Sequence, residues 1–305
     1  MTFGKKRSIL KRMFLKKMES MMLSLLLSFC GGVFGAAFGA LTAFILFGFL
    51  LLLASVNSNE VLTNLALGEL FGPHTAFAGG VAAAAFASHK KLLKESGKNL
   101  VTPLLFSGNI SPLLIGGLFG SLGFLLQYLL FEFAEETLHI LPSGTDVIAG
   151  SIVLSALIVR FLFSNTPLFN RKPFLFQEEA PGTKNGIWLP WETDWKLVIF
   201  LGIVFGTFFS FLALQIGNPL LGFGLSAMFL LFLHFGTHIP VTHHIALPAG
   251  TVAVLSGNLL CGIAFGLLGA LLGEFSARIF YNGGKTHIDP PAFAIFVCSL
   301  FFFLF

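Results

Sequence analysis

The amino-acid sequence predicts an all-α, polytopic transmembrane helical bundle with two duplicated halves and paired broken or re-entrant helices. Three observations carry that expectation. First, the 305-residue chain is 55% hydrophobic and 10% charged, with mean hydropathy +0.89, which leaves too little polar surface to cover a soluble globule. Second, the apolar runs 21–56, 113–131, 197–216 and 259–280 reach or approach the roughly 20 residues that a spanning helix needs. Third, the chain nearly repeats itself.

The stretch Gly31 to Ala83 returns as Gly202 to Ala253. Phe34-Gly35 reappears as Phe205-Gly206, and His74, Ala76, Phe77 and Gly80 reappear as His244, Ala246, Leu247 and Gly250. The match resumes with Ser107-Gly108-Asn109 against Ser256-Gly257-Asn258, with Phe119-Gly120 and Gly123 against Phe265-Gly266 and Gly269, and with Asp146 against Asp289. Duplicated halves that meet at polar, helix-breaking segments are a plan of channels and secondary transporters.

Charge places the ends. Lys5, Lys6, Arg7, Lys11, Arg12, Lys16 and Lys17 precede the first span, and Ile9, Leu10, Met13, Phe14 and Met18 recur among them at helical spacing. Residues 1–20 therefore read as a basic amphipathic segment on an anionic inner leaflet, followed by an uncleaved span, in a bacterial-type inner membrane with the N-terminus cytoplasmic. The net charge of +4 goes with topology and lipid head groups, not nucleic acid. A basic loop with Lys90, Lys91, Lys94 and Lys98 is expected in the cytoplasm, and an acidic loop with Glu132, Glu135 and Glu136 outside.

The first transmembrane repeat is assigned to 21–164, a polar linker to 165–196 and the second repeat to 197–305, with eight to ten crossings in all. The linker contains Arg171, Lys172, Pro173, Glu178, Glu179, Pro181 and Gly182, and it ends in Trp188, Trp191 and Trp195, read as an interfacial anchor. An odd number of crossings per half makes the halves inverted, an even number parallel.

Four polar clusters interrupt the apolar background: 73–75, 144–146, 237–244 and 286–291. Each precedes or opens a helix, where free N–H groups favour polar ligands. Candidate substrate-binding residues are His74, Thr75, Asn109, Thr145, Asp146, Thr242, His243, His244, Asn258, Thr286, His287 and Asp289. Ordinary helix caps are the competing role for the Thr, Asn and Asp members. An ionisable residue inside lipid faces a bundle interior or an aqueous path, so the histidines read as solute-ordering or proton-relaying groups, and His74→Ala and His244→Ala are each expected to impair flux. The His-rich 237–244 cluster lacks an HExxH arrangement, so no metal is assigned. Glu69 and Glu274 stand in apolar segments and need partners, for which Arg160 and Arg278 are the candidates. Gly31, Gly32, Gly35 and Gly39, and Gly116, Gly117, Gly120 and Gly123, allow close helix crossing. Cys30, Cys261 and Cys298 sit at unrelated spacings in apolar runs and give no disulfide or CxxC framework.

The function expected from these residues is a channel or secondary transporter for a small polar solute or ion, with the pathway between the repeats. The plan is similar in outline to urea and ammonium channels, which also use duplicated halves and short broken segments; no residue role is taken from them. Without a GxxxxGK[ST] loop the chain itself hydrolyses no ATP, and no cofactor is called for. A His/Asp-dependent membrane enzyme is disfavoured because GxSxG and HExxH are absent. A non-transporting subunit of a larger complex is the other alternative. Membrane lipids and the solute are the expected partners, with a homo-oligomer or a partner subunit left open.

Overall fold

The computed structural model describes residues 3–170 and 186–305, with side chains from Lys16 onward. The side chains of Lys5 to Phe14, and Arg171 to Gly182 of the linker, thus lie outside the described residues. All regular elements described are helices: α1 (Phe3–Phe38), α2 (Ala40–Asn57), α3 (Glu60–Leu67), α4 (Ala78–His89), α5 (Ile110–Leu129), α6 (Val147–Phe163), α7 (Trp195–Ile216), α8 (Pro219–His234), α9 (His243–Ser256), α10 (Leu259–Ser276) and α11 (Pro290–Ser299). A π-helical turn, Pro73–Phe77, leads into α4, and matching π turns, Leu130–Glu135 and Ala277–Tyr281, extend α5 and α10. Five helical stretches are long and apolar enough to cross a membrane, and three shorter apolar helices accompany them. This all-helical make-up has the length and composition of membrane spans.

The long apolar run 21–56 turns back at Gly39. Its φ of 95° is open to glycine and costly for a side chain, and a Cβ there would also crowd the carbonyl oxygen of Val101. Leu41 donates its amide to Leu100 O at 3.0 Å, which pins this corner to the segment after Lys98.

Glycines then set the helix pairs. A Cβ on Gly32 would collide with the backbone of Gly116 and Gly120, and one on Gly120 with Ser28 O, while Ser121 Oγ donates to Leu25 O at 3.0 Å. Numbers rise along α1 as they fall along α5, so the two are antiparallel and touch backbone to backbone. α7 and α10 make a similar contact: Gly202 meets Leu267 and Ala270, Gly206 meets Ile263 and Gly266, and Gly262 meets Ser210. α2 and α8 cross in the same antiparallel sense, with Gly48 against Ala227 and Gly224 against Leu52.

These pairings corrected the expected topology. Lys16 and Lys17 share a groove with Phe124 and Tyr128 near the end of α5, whereas α1 finishes at the corner beside Leu100, next to the Lys90–Lys98 loop. The two basic clusters therefore lie at opposite ends of the bundle, which does not agree with the expectation that both face the cytoplasm. The amino-terminal end also carries the acidic turn Glu132–Glu136, which was expected on the other side of the membrane. The cause is that three passes of the bundle separate the clusters, α1, its return along α2 and the stretch from α3 through α4, and an odd number of passes leaves the chain at the other end when it reaches the second lysine cluster. In a chain freed of native cysteines, Lys17→Cys and Lys94→Cys are expected to show opposite labelling by an impermeant maleimide in sealed vesicles. Labelling of both from one side would break this topology.

The lysine end is tied together across the two halves. Lys98 Nζ donates to Gly186 O at 2.8 Å, Ser96 Oγ to Lys285 O at 3.2 Å and the Trp188 amide to Asn282 Oδ1 at 3.0 Å. The half-buried tryptophans make protein contacts here. Trp191 Nε1 donates to Ile239 O at 3.1 Å and its ring stacks on His238, Trp188 stands edge-on to His244, and Trp195 lies under the Arg278 guanidinium. The linker's end folds over the helices that follow it, and a backbone carbonyl satisfies the Trp191 indole.

Candidate functional site

Helix starts build the centre of the bundle. Asp146 caps α6 by accepting the Ala149 amide at 2.8 Å, and Asp289 caps α11 by accepting the Ala292 amide at 2.8 Å. α6 and α11 are antiparallel: the Asp146 amide donates to Ser299 Oγ at 2.8 Å at one end, and Arg160 Nε to Thr286 Oγ1 at 2.9 Å at the other. Pro73 and His243, at the first positions of the Pro73–Phe77 turn and of α9, complete the set of inward-facing starts.

Two cavities lie between these elements. The larger, about 280 Å³, is walled by Phe44, Phe47, Phe223, Leu67 and Leu247 and carries Thr145, Asp146, His243 and Asp289. Thr145 and Asp146 set it toward the amino-terminal end. The smaller, about 80 Å³, lies toward the lysine end among Leu100, Trp188, Leu233, Phe77 and His287. Phe44, His243 and Asp289 line both. The Phe44 ring lies 5.0 Å from the His243 ring and 5.5 Å from Phe77, and His287 Nε2 sits 3.0 Å from Asp289 Oδ1. One layer of side chains thus separates two chambers. His243 and His287 are each 5% exposed, and the Nδ1 atoms of both have no hydrogen-bond partner among the described residues.

Of the residues singled out from sequence, Thr145, Asp146, His243, His287 and Asp289 come together at these chambers. His74 and Thr75 are buried beside them in the Pro73–Phe77 turn, where Thr75 Oγ1 donates to Gly72 O at 2.9 Å. Thr242 shares a 2.6 Å hydrogen bond with Ser226, and Thr286 is consumed by Arg160. Asn109 and Asn258 are not brought to the chambers: each caps a helix, accepting from Ser111 and Leu260 amides, at opposite ends of the bundle. Their short side chains serve local backbone donors that the solute was expected to meet.

His244 belongs to a third, tight pocket with Trp188, Glu192 and Glu274. Glu274 is partnered by Arg278 one turn away, at 2.6 Å, as the sequence suggested, whereas Arg160 binds Thr286 and Glu69 accepts from Ser24 Oγ at 2.8 Å instead. The chain belongs to the DUF7973 family. The family model, described as a family of unknown function, matches residues 13–304, nearly the whole chain. No curated protein and no solved structure matches it. In this DUF7973 member, Phe44, Phe47 and Phe223 are chamber-lining residues that sequence reading missed, because among 39 phenylalanines none carries a distinguishing signal.

Glu192 lies in the linker's folded-back end, outside the spans. Burial pushes its carboxyl up from the usual 4.5 to about 7, and the neighbouring Glu274 adds to the shift. The folded state thus holds this proton more tightly than the unfolded chain, and its contribution to stability falls as pH rises from about 4.5 to about 7. Glu192→Gln is expected to raise the melting temperature in detergent relative to wild type at pH 7.5 but not at pH 4.5. An equal gain at both would assign the effect to packing.

Proposed function

We propose that this protein is a transporter of a small solute, built from two inverted repeats whose junction forms an alternately opened pathway. The carrying observation is the pair of chambers that face opposite ends and share Phe44, His243 and Asp289. A solute moving between them needs only that layer to rearrange, which is the economy of alternating access.

The repeat reading has structural support. α1 leads to the lysine end and its mate α7 leads away from it; α2 and α8, α5 and α10, and α6 and α11 are likewise antiparallel mates. The first segment of short helices, α3 through α4, and its mate ending in α9 make one broken crossing per half. Five crossings per half is odd, as inversion requires. Two details recur: α5 and α10 both end in π turns, and Gly123 and Gly269 take the His74 and His244 carbonyls. Broken backbone at this depth is covered by protein or lines the chambers.

The test is flux into proteoliposomes of the purified full chain, screening urea, ammonium, small amines, small carboxylates and divalent metals with and without a pH gradient. The expected result is saturable uptake of one class that falls at least tenfold in Asp289→Asn and in His243→Ala. Folded protein that moves none of them would sink the proposal.

A further inference from the structure

The larger chamber has a chemistry more specific than that of a general solute path. Three phenylalanine rings, Phe44, Phe47 and Phe223, pack against one another at 5.2, 5.6 and 6.4 Å between centroids and form one wall. Two carboxyl groups, Asp146 and Asp289, enter from opposite helix starts, Asp289 with its Oδ1 3.0 Å from His287 Nε2. The buried His243 ring brings an Nδ1 without a hydrogen-bond partner among the described residues. An anion is disfavoured twice: it would meet two fixed carboxylates, and the helix N-termini beside it already give their amides to those same carboxylates. A neutral polar solute finds the same acceptors but gains neither charge pairing nor attraction to the aromatic faces. An ammonium group finds carboxylate oxygens, a nitrogen acceptor if His243 is neutral, and aromatic faces whose quadrupole attracts cations.

We propose that the chamber binds a small organic cation, a protonated amine on an apolar body, with Asp289 and Asp146 as its charge partners and the phenylalanine wall holding the body. The site's place in a transport cycle rests on the transporter reading above; its binding preference does not.

The test uses three single-ring probes of different charge, benzylamine, benzyl alcohol and benzoate, titrated calorimetrically into the full chain in neutral-lipid nanodiscs at pH 7. Benzylamine is expected to bind at least tenfold more tightly than the other two. Asp289→Asn is expected to remove that preference. Phe223→Leu, which keeps an apolar side chain and loses the ring, is expected to weaken benzylamine about threefold and leave benzyl alcohol unchanged, and it answers the question even where Asp289→Asn fails to fold. Equal binding of benzoate or benzyl alcohol, or no benzylamine binding to folded protein, overturns the proposal. A parallel uptake assay separates the two readings. Benzylamine binding without uptake of any solute would overturn transport and keep the site, whereas uptake of benzoate without benzylamine binding would overturn the cation site and keep transport.

Discussion

Arg278→Ala is expected to destabilise the protein by about 3–5 kcal/mol, because it removes one partner of a buried ion pair and strands the other. Arg278 and Glu274 are 4% and 2% exposed, with Nε 2.6 Å from Oε1. The guanidinium also donates to Thr193 O at 2.8 Å and covers the Trp195 ring. It therefore ties the end of α10 to the start of α7 as well as neutralising Glu274. Without it, Glu274 and Glu192 face one small pocket with His244 and no neighbouring cation lining it. Glu274→Gln in the same chain removes the stranded carboxylate, and the double variant is expected to recover more than half of the lost stability. Thermal unfolding in detergent reads both. A wild-type melting temperature for Arg278→Ala would mean that water reaches this pocket and that the pair is not buried in practice.

The two parts of this protein were unequally legible. Helix class and membrane residence follow from composition, because hydropathy alone decides the solvent. The glycine seams were also readable, since small residues three and four apart have one main use between apolar helices, and Gly32 meeting Gly116 is that use. Topology was harder. Lysine counts say that a segment stays inside; they do not say whether 21–56 crosses once or twice before the next basic loop. Gly39 decides it through a backbone angle that no periodicity reveals.

The site divides in the same way. Asp146, His243, His287 and Asp289, which line the chambers, stand out in the sequence because an ionisable group is costly in lipid. Asn109 and Asn258 were selected by the same polarity, yet a cap and a ligand contact look alike in a sequence. His74 and His244 are mates that meet different surroundings, one beside Gly72 and the other beside Trp188 and Gly273. The phenylalanine wall was silent, since a ring facing a chamber and a ring facing lipid are the same letter.

Gly123→Ala and Gly269→Ala are each expected to cost about 3 kcal/mol, at the upper end of overpacking penalties. A Cβ at Gly123 would fall on the carbonyl oxygen of His74, and a Cβ at Gly269 on that of His244. Neither oxygen is the movable tip of a side chain: each belongs to the backbone of a segment already wedged between long helices. The clash can be relieved only by moving the Pro73–Phe77 turn or the start of α9, which would shift Pro73 or His243 at the chamber edge. Gly108→Ala is the contrasting change. Its φ of 62° costs a side chain roughly 1–2 kcal/mol, but nothing lies within 4 Å of the added methyl. Folded yield and melting temperature in detergent should therefore rank Gly108→Ala well above Gly123→Ala and Gly269→Ala, with the last two alike. If Gly123→Ala instead matched Gly108→Ala, close backbone packing would not be what seats the broken helix. If Gly123→Ala and Gly269→Ala differed widely, the two seats would not be equivalent, and the inverted-repeat proposal would lose its strongest local support.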